Sequence, residues 1–205
     1  MSAKRNDFKR QTNHRGFIGE RFLIACEGES EKLYFEALRD TMRNPSISVK
    51  IINEAHRSDP LQVVNKAKEV SAIKNKKSTL FENIWVIIDA DVADRFEKAN
   101  ESAIKLGIFV AYSNPCFELW LMLHYKNQSS FITSEQTIRL LREENSSYDK
   151  TNNKFFKNLA GDIEKVKKAI KNSKLLQSMH VQNGNLKQSN PSTGVNELVE
   201  KIINI

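Results

Sequence analysis

Cysteine is scarce in this sequence of 205 residues, which contains only Cys26 and Cys116. Two cysteines are too few for a disulfide scaffold, and their separation does not match the spacing of a metal site. No apolar run approaches the about 20 residues that cross a bilayer, and no hydrophobic segment follows the charged N-terminus as in a secretory signal. We therefore expect reduced thiols, no membrane partner and a cytoplasmic location.

Internal repeats and low-complexity tracts are also absent. Apolar residues make up 40% of the chain and charged residues 28%, which is typical of a folded globular protein rather than a disordered one. The length suits one well-buried domain with an extension better than two independent domains.

The formal net charge of +7 is unevenly distributed along the chain. Basic residues are concentrated in the first 21 residues and again between residues 150 and 187, whereas residues 22–149 are slightly acidic. A metal site with margins that bind a polyanion would give this distribution. A solvated basic helix and a disordered tail would give it equally well, so charge leaves both interpretations open.

Short apolar runs alternate with helical patterns over the first 125 residues. Asp59 followed by Pro60 predicts the start of one helix, Gly107 the end of another, and Pro115 the start of a third. The alternation predicts an α/β fold with a doubly wound, mostly parallel sheet flanked by helices. The predicted strands are residues 22–26, 49–52, 84–88 and 108–112.

The alternation stops after residue 125. Residues 134–176 have a helical pattern with two basic amphipathic stretches, and a polar segment (182–185) precedes a final helix over residues 194–205. We therefore divide the chain into three parts. These are a basic N-terminal arm (1–20), an α/β core (21–126) and a mainly helical basic extension that packs on the core (127–205).

Acidic residues directly follow two of the predicted strands. Glu27 follows the first strand, and Asp89 and Asp91 follow the third. Sites in open α/β sheets form outside the carboxyl ends of the strands, and strands one and three are commonly neighbours. Carboxylates gathered there repel one another unless a cation neutralises them, and ligand sets made only of oxygen favour Mg²⁺, Mn²⁺ or Ca²⁺ over zinc. Such a cation stabilises charge on a phosphoryl group and activates a water.

Each of these carboxylates also has a purely structural interpretation. Asp91 would cap the helix that runs through Phe96, and Glu27 would lie near the N-terminus of the next helix. For any single carboxylate this is the better explanation. The combination of both strand ends favours a metal site.

The same strand ends resemble a known signature. Residues 26–28 (CEG) and 89–91 (DAD) resemble the Toprim motif of topoisomerases, bacterial primases and the overcoming-lysogenization-defect nucleases. A more specific resemblance, to the RloB family, runs from about Arg15 to the C-terminus. It rests on residues 26–31 (CEGESE), 58–61 (SDPL), 113–124 (SNPCFELWLMLH) and 190–193 (NPST).

This resemblance implies a Toprim/Rossmann-like core and a nuclease effector of bacterial anti-phage defence, often encoded beside an ABC-type ATPase. By position, it implies metal binding and acid–base chemistry for Glu27 and metal binding for Asp89 and Asp91. Glu31 matches a second acidic position that would complete a two-metal site. The chain departs from the pattern at Val92, where relatives often carry another acidic residue.

Further polar residues are candidates by their position alone. Glu118, in the first turn of the helix after Pro115, either faces the same crevice as a metal ligand or compensates the helix dipole. Lys32 either neutralises a phosphate or is an exposed surface lysine. Lysine-rich helices suit phosphate contacts with weak sequence readout. The candidates there are Lys165, Lys167, Lys168 and Lys171.

The sequence therefore predicts a nuclease that depends on Mg²⁺ or Mn²⁺ and cleaves DNA or RNA, with transfer RNA as one candidate. The expected partners are nucleic acid, an ABC-type ATPase and a second copy of the chain in a homodimer. The alternative is a non-catalytic sensing or binding subunit of an ATPase complex, although the intact Glu27, Asp89 and Asp91 argue against a decayed site. A receiver-like phosphoacceptor would need a paired acid at the first strand and a lysine after a late strand. Topoisomerase and primase activities need further domains for which this length leaves no room.

Overall fold

The computed structural model describes residues 19–42, 44–53, 59–73, 81–180 and 189–204. Nearly all of the predicted N-terminal arm (1–18) and the polar segment 182–185 lie outside the described residues. The elements are, in chain order, β1 (Glu20–Cys26), α1 (Glu29–Met42), β2 (Ile47–Asn53), α2 (Pro60–Ala72), β3 (Asn83–Asp89), α3 (Ala93–Lys105), β4 (Phe109–Asn114), α4 (Glu118–Leu123), α5 (Ser134–Glu144), α6 (Asn153–Ala160), α7 (Ile163–His180), β5 (Ser192–Thr193) and α8 (Val195–Ile203).

The strands form one sheet in the order β2-β1-β3-β4-β5. The first four are parallel, and the two-residue β5 pairs antiparallel with the end of β4. The predicted α/β class with a mostly parallel sheet is confirmed, and so is the expectation that strands one and three are neighbours. Because β1 and β3 are adjacent and parallel, their carboxyl ends meet at the same edge of the sheet.

Helices cover both faces of this sheet. Alternate residues of β1 point to opposite sides: Phe22 and Ile24 join a cluster with α1 and α4–α8, whereas Ala25 joins a cluster with α2 and α3. The strands are therefore buried on both faces, which explains their continuous apolar runs. The helices after residue 126 share one hydrophobic cluster with β1 and α1.

Several boundaries differ from the predicted ones. The helix expected to open at Pro115 begins at Glu118, and the helical region expected over residues 134–176 is three helices. Side chains set two of these starts, because Thr133 caps α5 and Asn152 caps α6. Strand β5 was not predicted, since two residues give no periodicity.

Two helix termini with local signals were predicted well. Asp59 Oδ1 accepts a hydrogen bond from the backbone N–H of Leu61 at 3.1 Å, as expected of the residue that caps α2. Gly107 follows α3 with a positive φ of 67°, a backbone conformation that favours glycine. Among the described helices, none combines the length and the apolar character needed to cross a bilayer.

Candidate metal centre at the carboxyl edge of the sheet

Two of the predicted acidic residues meet directly at the carboxyl ends of β1 and β3. Asp89 is the last residue of β3, and Glu27 follows β1. The parallel pairing of Cys26 with Ile87 places Glu27 beside Ile88, one residue before the level of Asp89. The backbone N–H of Asp89 donates a hydrogen bond to Glu27 Oε2 at 3.4 Å. The structure therefore brings together the two strand ends, as the sequence predicts.

Glu31 belongs to the same edge because α1 begins immediately after β1. Its side chain lies in the first turn of α1 and is only 5% exposed. The carboxylate folds back over Gly28, where an added Cβ would lie 2.6 Å from Glu31 Oε2. Any larger residue at position 28 would displace this carboxylate, which explains why glycine follows Glu27.

Glu118 is the fourth acid at this edge and the one with the most partners. It is the first residue of α4 and is 3% exposed. The hydroxyl of Tyr148 donates a hydrogen bond to Glu118 Oε1 at 2.7 Å, and Lys150 Nζ lies 3.2 Å from the same oxygen. Tyr148 and Lys150 come from the connection between α5 and α6. Sequence reasoning missed both, because nothing local links that connection to the strand ends.

Asp91 lies two residues beyond Asp89 and is exposed. The structure does not support the capping interpretation of this residue, because Val92 is the capping position of α3 and makes no side-chain cap hydrogen bond. Asp91 is also close enough to raise the pKa values of both Glu27 and Asp89. We call Glu27, Glu31, Asp89, Asp91 and Glu118 the carboxylate cluster.

Mutual repulsion and burial change the proton affinities of the cluster. Burial, assisted by Glu118 and Glu27, raises the pKa of Glu31 from 4.5 to about 8. Burial and the neighbouring acids also raise the pKa of Asp89 well above its ordinary value, and burial raises the pKa of Glu27. Three of these acids therefore hold protons more tightly than ordinary carboxylates.

Glu118 departs from this trend. Burial alone would raise its pKa, but the charge of Lys150 and the hydrogen bond from Tyr148 outweigh that effect and leave the pKa below its ordinary value. Glu118 is therefore the acid of the cluster whose negative charge the protein itself compensates.

One oxygen of the cluster is left without a partner. Asp89 Oδ1 is buried and accepts no hydrogen bond from the described residues. Ser30 Oγ is in the same condition, one residue before Glu31. A buried polar group without a partner costs about 1–3 kcal/mol, so such groups are rare unless they serve a ligand or a reaction.

The donor chemistry of the cluster fits a hard divalent cation. Carboxylate oxygens are the ligands that Mg²⁺ and Mn²⁺ prefer. Asp89 Oδ1, which has no hydrogen-bond partner among the described residues, is available to bind such a cation. Over the described ranges, however, no group of three or more His, Cys, Asp or Glu side chains is arranged to hold a metal ion. The side chains must therefore turn toward one another before they can share a cation.

The predicted nucleic-acid-binding lysines lie elsewhere. Lys165 Nζ lies 5.8 Å from the centre of the Tyr125 ring, and Lys168 Nζ donates to the Tyr125 carbonyl. Tyr125 follows α4 at the end opposite Glu118, about 10 Å away along the helix at 1.5 Å per residue. The structure thus brings Lys150, and not these lysines, into contact with the cluster.

The remaining predicted lysines have acidic neighbours on their own helices. Lys32 Nζ lies 3.0 Å from Glu29 Oε1, and Lys167 Nζ lies 2.9 Å from Glu164 Oε1. Lys171 lies on α7 beside an exposed groove. Lys32 and Lys167 thus pair with acids outside the carboxylate cluster.

His124 is part of the core, where it is 1% exposed. Its Nδ1 donates to the carbonyl of Trp120 at 3.0 Å and its Nε2 accepts from the Tyr34 hydroxyl at 3.1 Å. Burial lowers the pKa of His124 to about 4. A neutral histidine with both nitrogens engaged is a structural residue.

Comparison with known proteins gives one match. The family model described as RloB-like protein matches residues 22–202. Searches of curated proteins and of solved structures give no match. The matched span contains all five acids of the carboxylate cluster and extends from β1 into α8. The chain therefore belongs to the RloB-like family.

Proposed function

We propose that this chain is a nuclease that uses Mg²⁺ or Mn²⁺ to hydrolyse phosphodiester bonds in DNA or RNA, as an effector of bacterial anti-phage defence. The observation that carries the proposal is the buried Asp89 Oδ1, which has no partner among the described residues and lies amid four other carboxylates. Holding like charges together without compensation is unfavourable, and a divalent cation reverses that balance.

In this proposal the residues of the cluster have different roles. Asp89, Asp91 and Glu31 would hold the cation, which when bound supplies charge stabilisation at the phosphoryl group and an activated water. The raised pKa of Glu27 lies closer to neutral pH than that of an ordinary carboxylate. A carboxylate whose pKa is near the working pH exchanges protons most effectively as a general base or acid. These assignments agree with the Toprim-like positions that the sequence suggests.

Glu118 and Lys150 would organise the cluster rather than react. Lys150 Nζ lies 3.2 Å from Glu118 Oε1, so its positive charge compensates that carboxylate. The same charge opposes the rise in the pKa of Glu31 that burial causes. Because Glu118 Oε1 already contacts both Tyr148 and Lys150, this acid is the least available ligand. A lysine next to a metal site also adds positive charge where a phosphate must approach.

The proposed partners follow from the family and the chemistry. Nucleic acid is the substrate, with transfer RNA as one candidate by analogy to effectors paired with ATPases. An ABC-type ATPase and a second copy of the chain are the proposed protein partners. The two cysteines are free and buried, which agrees with a reducing, cytoplasmic setting.

The test is a cleavage assay on single-stranded DNA, duplex DNA and total transfer RNA, with Mg²⁺, Mn²⁺ or a chelator, and with and without the ATPase. We expect cation-dependent cleavage that falls by at least about 10³-fold in Asp89→Asn and Glu27→Gln. Asp40→Asn is the matched control, because Asp40 is exposed near the far end of α1 and pairs with Arg39. Full cleavage by Asp89→Asn, or equal loss in Asp40→Asn, would contradict the proposed site.

A non-catalytic binding subunit is the second candidate. It is favoured by one observation, the lack of any described group of three acids, histidines or cysteines arranged to hold a metal ion. This candidate predicts that Asp89→Asn keeps partner binding and full biological activity in cells exposed to phage. The nuclease predicts that Asp89→Asn keeps partner binding and loses protection.

A further inference from the structure

A cavity of about 420 Å³ opens directly beside the carboxylate cluster. Ala90 and Asp91, after β3, form one side, and Asn114 and Pro115, at the end of β4, form another. The segment from Phe131 to the start of α5 closes the third side. The volume lies within the range of about 300–1,000 Å³ that small-ligand sites occupy. The cavity shares Asp91 with the cluster, so a ligand in it lies next to the proposed metal site.

Phe131 is the unusual residue of this cavity, because 73% of its surface is exposed. Its backbone is nevertheless held firmly. The next residue, Ile132, exchanges two hydrogen bonds with the side chain of Asn190, at 3.0 and 2.9 Å, and Thr133 starts α5 with a reciprocal capping box. An exposed aromatic ring is stabilised when a ligand covers it, so Phe131 offers an apolar contact to a ligand in the cavity.

The charges of the lining residues select the kind of ligand. Asp91 and Glu135 are acidic, and no lysine or arginine lines the cavity within the described part of the chain. Such a surface repels phosphate and accepts hydrogen bonds from amino groups. Asn114 and Thr133 also line the cavity, and their side chains already bond Asn190 and Gln136. The lining thus suits a flat, neutral group that carries amines.

We propose that this cavity holds one unpaired nucleobase, stacked on Phe131, next to the phosphodiester at the carboxylate cluster. Bases with an exocyclic amine (adenine, cytosine and guanine) fit the acidic lining better than uracil or thymine, since carboxylates and amides accept hydrogen bonds from such amines. The inference rests on the proposed function for the class of ligand, and it adds that the substrate is single-stranded or unpaired at this position.

Binding without cleavage tests the cavity by itself. In chelator, Phe131→Ala should weaken binding of single-stranded oligonucleotides by about 5- to 150-fold, because base–aromatic stacking contributes about 1–3 kcal/mol. Phe131→Leu should restore little of this loss, and Phe131→Tyr most of it. Phe109→Ala is the matched control, because Phe109 is also exposed (47%) but its ring stacks on Trp85. Phe109 begins β4 and therefore lies at the edge of the sheet opposite the cavity.

A fluorescent reporter locates the base. The two native tryptophans, Trp85 and Trp120, are buried, so Phe131→Trp adds an exposed tryptophan at the cavity. Its fluorescence should be quenched by an oligonucleotide of adenines, more weakly by one of uracils or thymines, and least by an abasic one. Duplex of the same sequence should quench less than the single strand.

The outcomes separate the cavity from the nuclease. Unchanged affinity in Phe131→Ala, no quenching in Phe131→Trp, or no single-strand binding by the wild type would each overturn the cavity proposal. Cleavage by a protein with those results would leave the nuclease intact. Conversely, quenching and base preference in a protein that cleaves no substrate with any cation would support the cavity proposal and contradict the nuclease proposal.

Discussion

The carboxylate cluster and the basic face of α7 hold charge in opposite ways. In the cluster, like charges are buried, one oxygen has no partner among the described residues, and several pKa values are raised. On α7, Lys165 is half-buried and the other lysines are exposed. Lys165 and Lys167 each pair with an acid three residues earlier, Asp162 and Glu164. The carboxylate cluster therefore lowers the stability of the fold, whereas the ion pairs of α7 raise it by almost nothing.

The difference shows which charges point to function. Exposed ion pairs contribute about 0–1 kcal/mol and accumulate freely on surfaces, so the lysine-rich composition says little by itself. Buried carboxylates without compensation persist only where something else requires them. Asp89 and Glu31 are therefore stronger evidence for a site than the more numerous lysines of α7.

The largest expected effect is on stability as a function of pH. The folded-state pKa of Glu31, about 8, exceeds its ordinary value of 4.5, so the folded protein holds an extra proton between those values. Metal-free protein should therefore lose stability as pH rises from about 4.5 to 8, by about 1.4 kcal/mol for each unit of pKa difference. Thermal unfolding in chelator from pH 5 to 8.5 measures this. Glu31→Gln should flatten the curve, and the exposed control Glu101→Gln should not.

Adding Mn²⁺ should reverse that trend. A cation displaces the bound protons, so it should stabilise the protein more at pH 8.5 than at pH 6. A ligand at 100 times its Kd contributes about 2.7 kcal/mol. Equal stabilisation at both pH values would indicate binding away from the carboxylate cluster.

Next in size is the effect of Asp89→Asn on stability. Asparagine has almost the shape of a protonated aspartate but carries no charge that the neighbouring acids repel. We expect little change near pH 5 and a gain of about 1–3 kcal/mol at pH 8.5 in chelator, measured by denaturant unfolding. Mn²⁺ should stabilise this variant less than the wild type. A loss of stability at every pH would instead mean that Asp89 is a structural residue.

Breaking the Lys150–Glu118 pair should lower the free energy of unfolding, whereas Asp89→Asn should raise it. Lys150→Met removes the compensation of a buried carboxylate and should destabilise the protein by about 1–3 kcal/mol, less than a fully buried pair because the Lys150 side chain is 59% exposed. The loss should be greatest at neutral pH and shrink under acid, where Glu118 becomes protonated. In a double-mutant cycle with Glu118→Gln, the second change should recover most of the loss. Additive losses would show that the two residues do not interact.

The sequence predicted the parts of this site that follow from local pattern. Glu27 and Asp89 end apolar runs in neighbouring parallel strands, so their meeting could be inferred from strand order alone. Tyr148 and Lys150 could not be inferred, because they approach Glu118 from about 30 residues away through the packing of α6 on α1. The two-residue β5 was missed because so short a strand gives no periodicity.

The position of the lysine-rich face could not be predicted from composition either. A helical stripe of lysines indicates a basic face, but only tertiary structure shows where that face points. Lys165 and Lys168 lie at the Tyr125 end of α4, remote from Glu118. That they bind nucleic acid stays a prediction.

The smallest expected effect on stability belongs to these lysines. Replacing Lys165, Lys167, Lys168 and Lys171 with Ala removes exposed charges whose ion pairs contribute little, so the free energy of unfolding should change by about 1 kcal/mol or less. If the face binds phosphates, affinity for a single strand should fall, and the slope of log K against log salt should flatten by up to about 0.7 for each phosphate that the variant no longer neutralises. Titrations between 50 and 200 mM salt measure that slope.

Phe131→Ala is the complementary control, because it removes stacking without charge and should lower affinity with an unchanged slope. If the quadruple variant keeps both affinity and slope, the basic face of α7 is a solvated surface. The phosphates would then have to be bound by lysines or arginines elsewhere in the chain, with Lys150 at the cluster as the first to test.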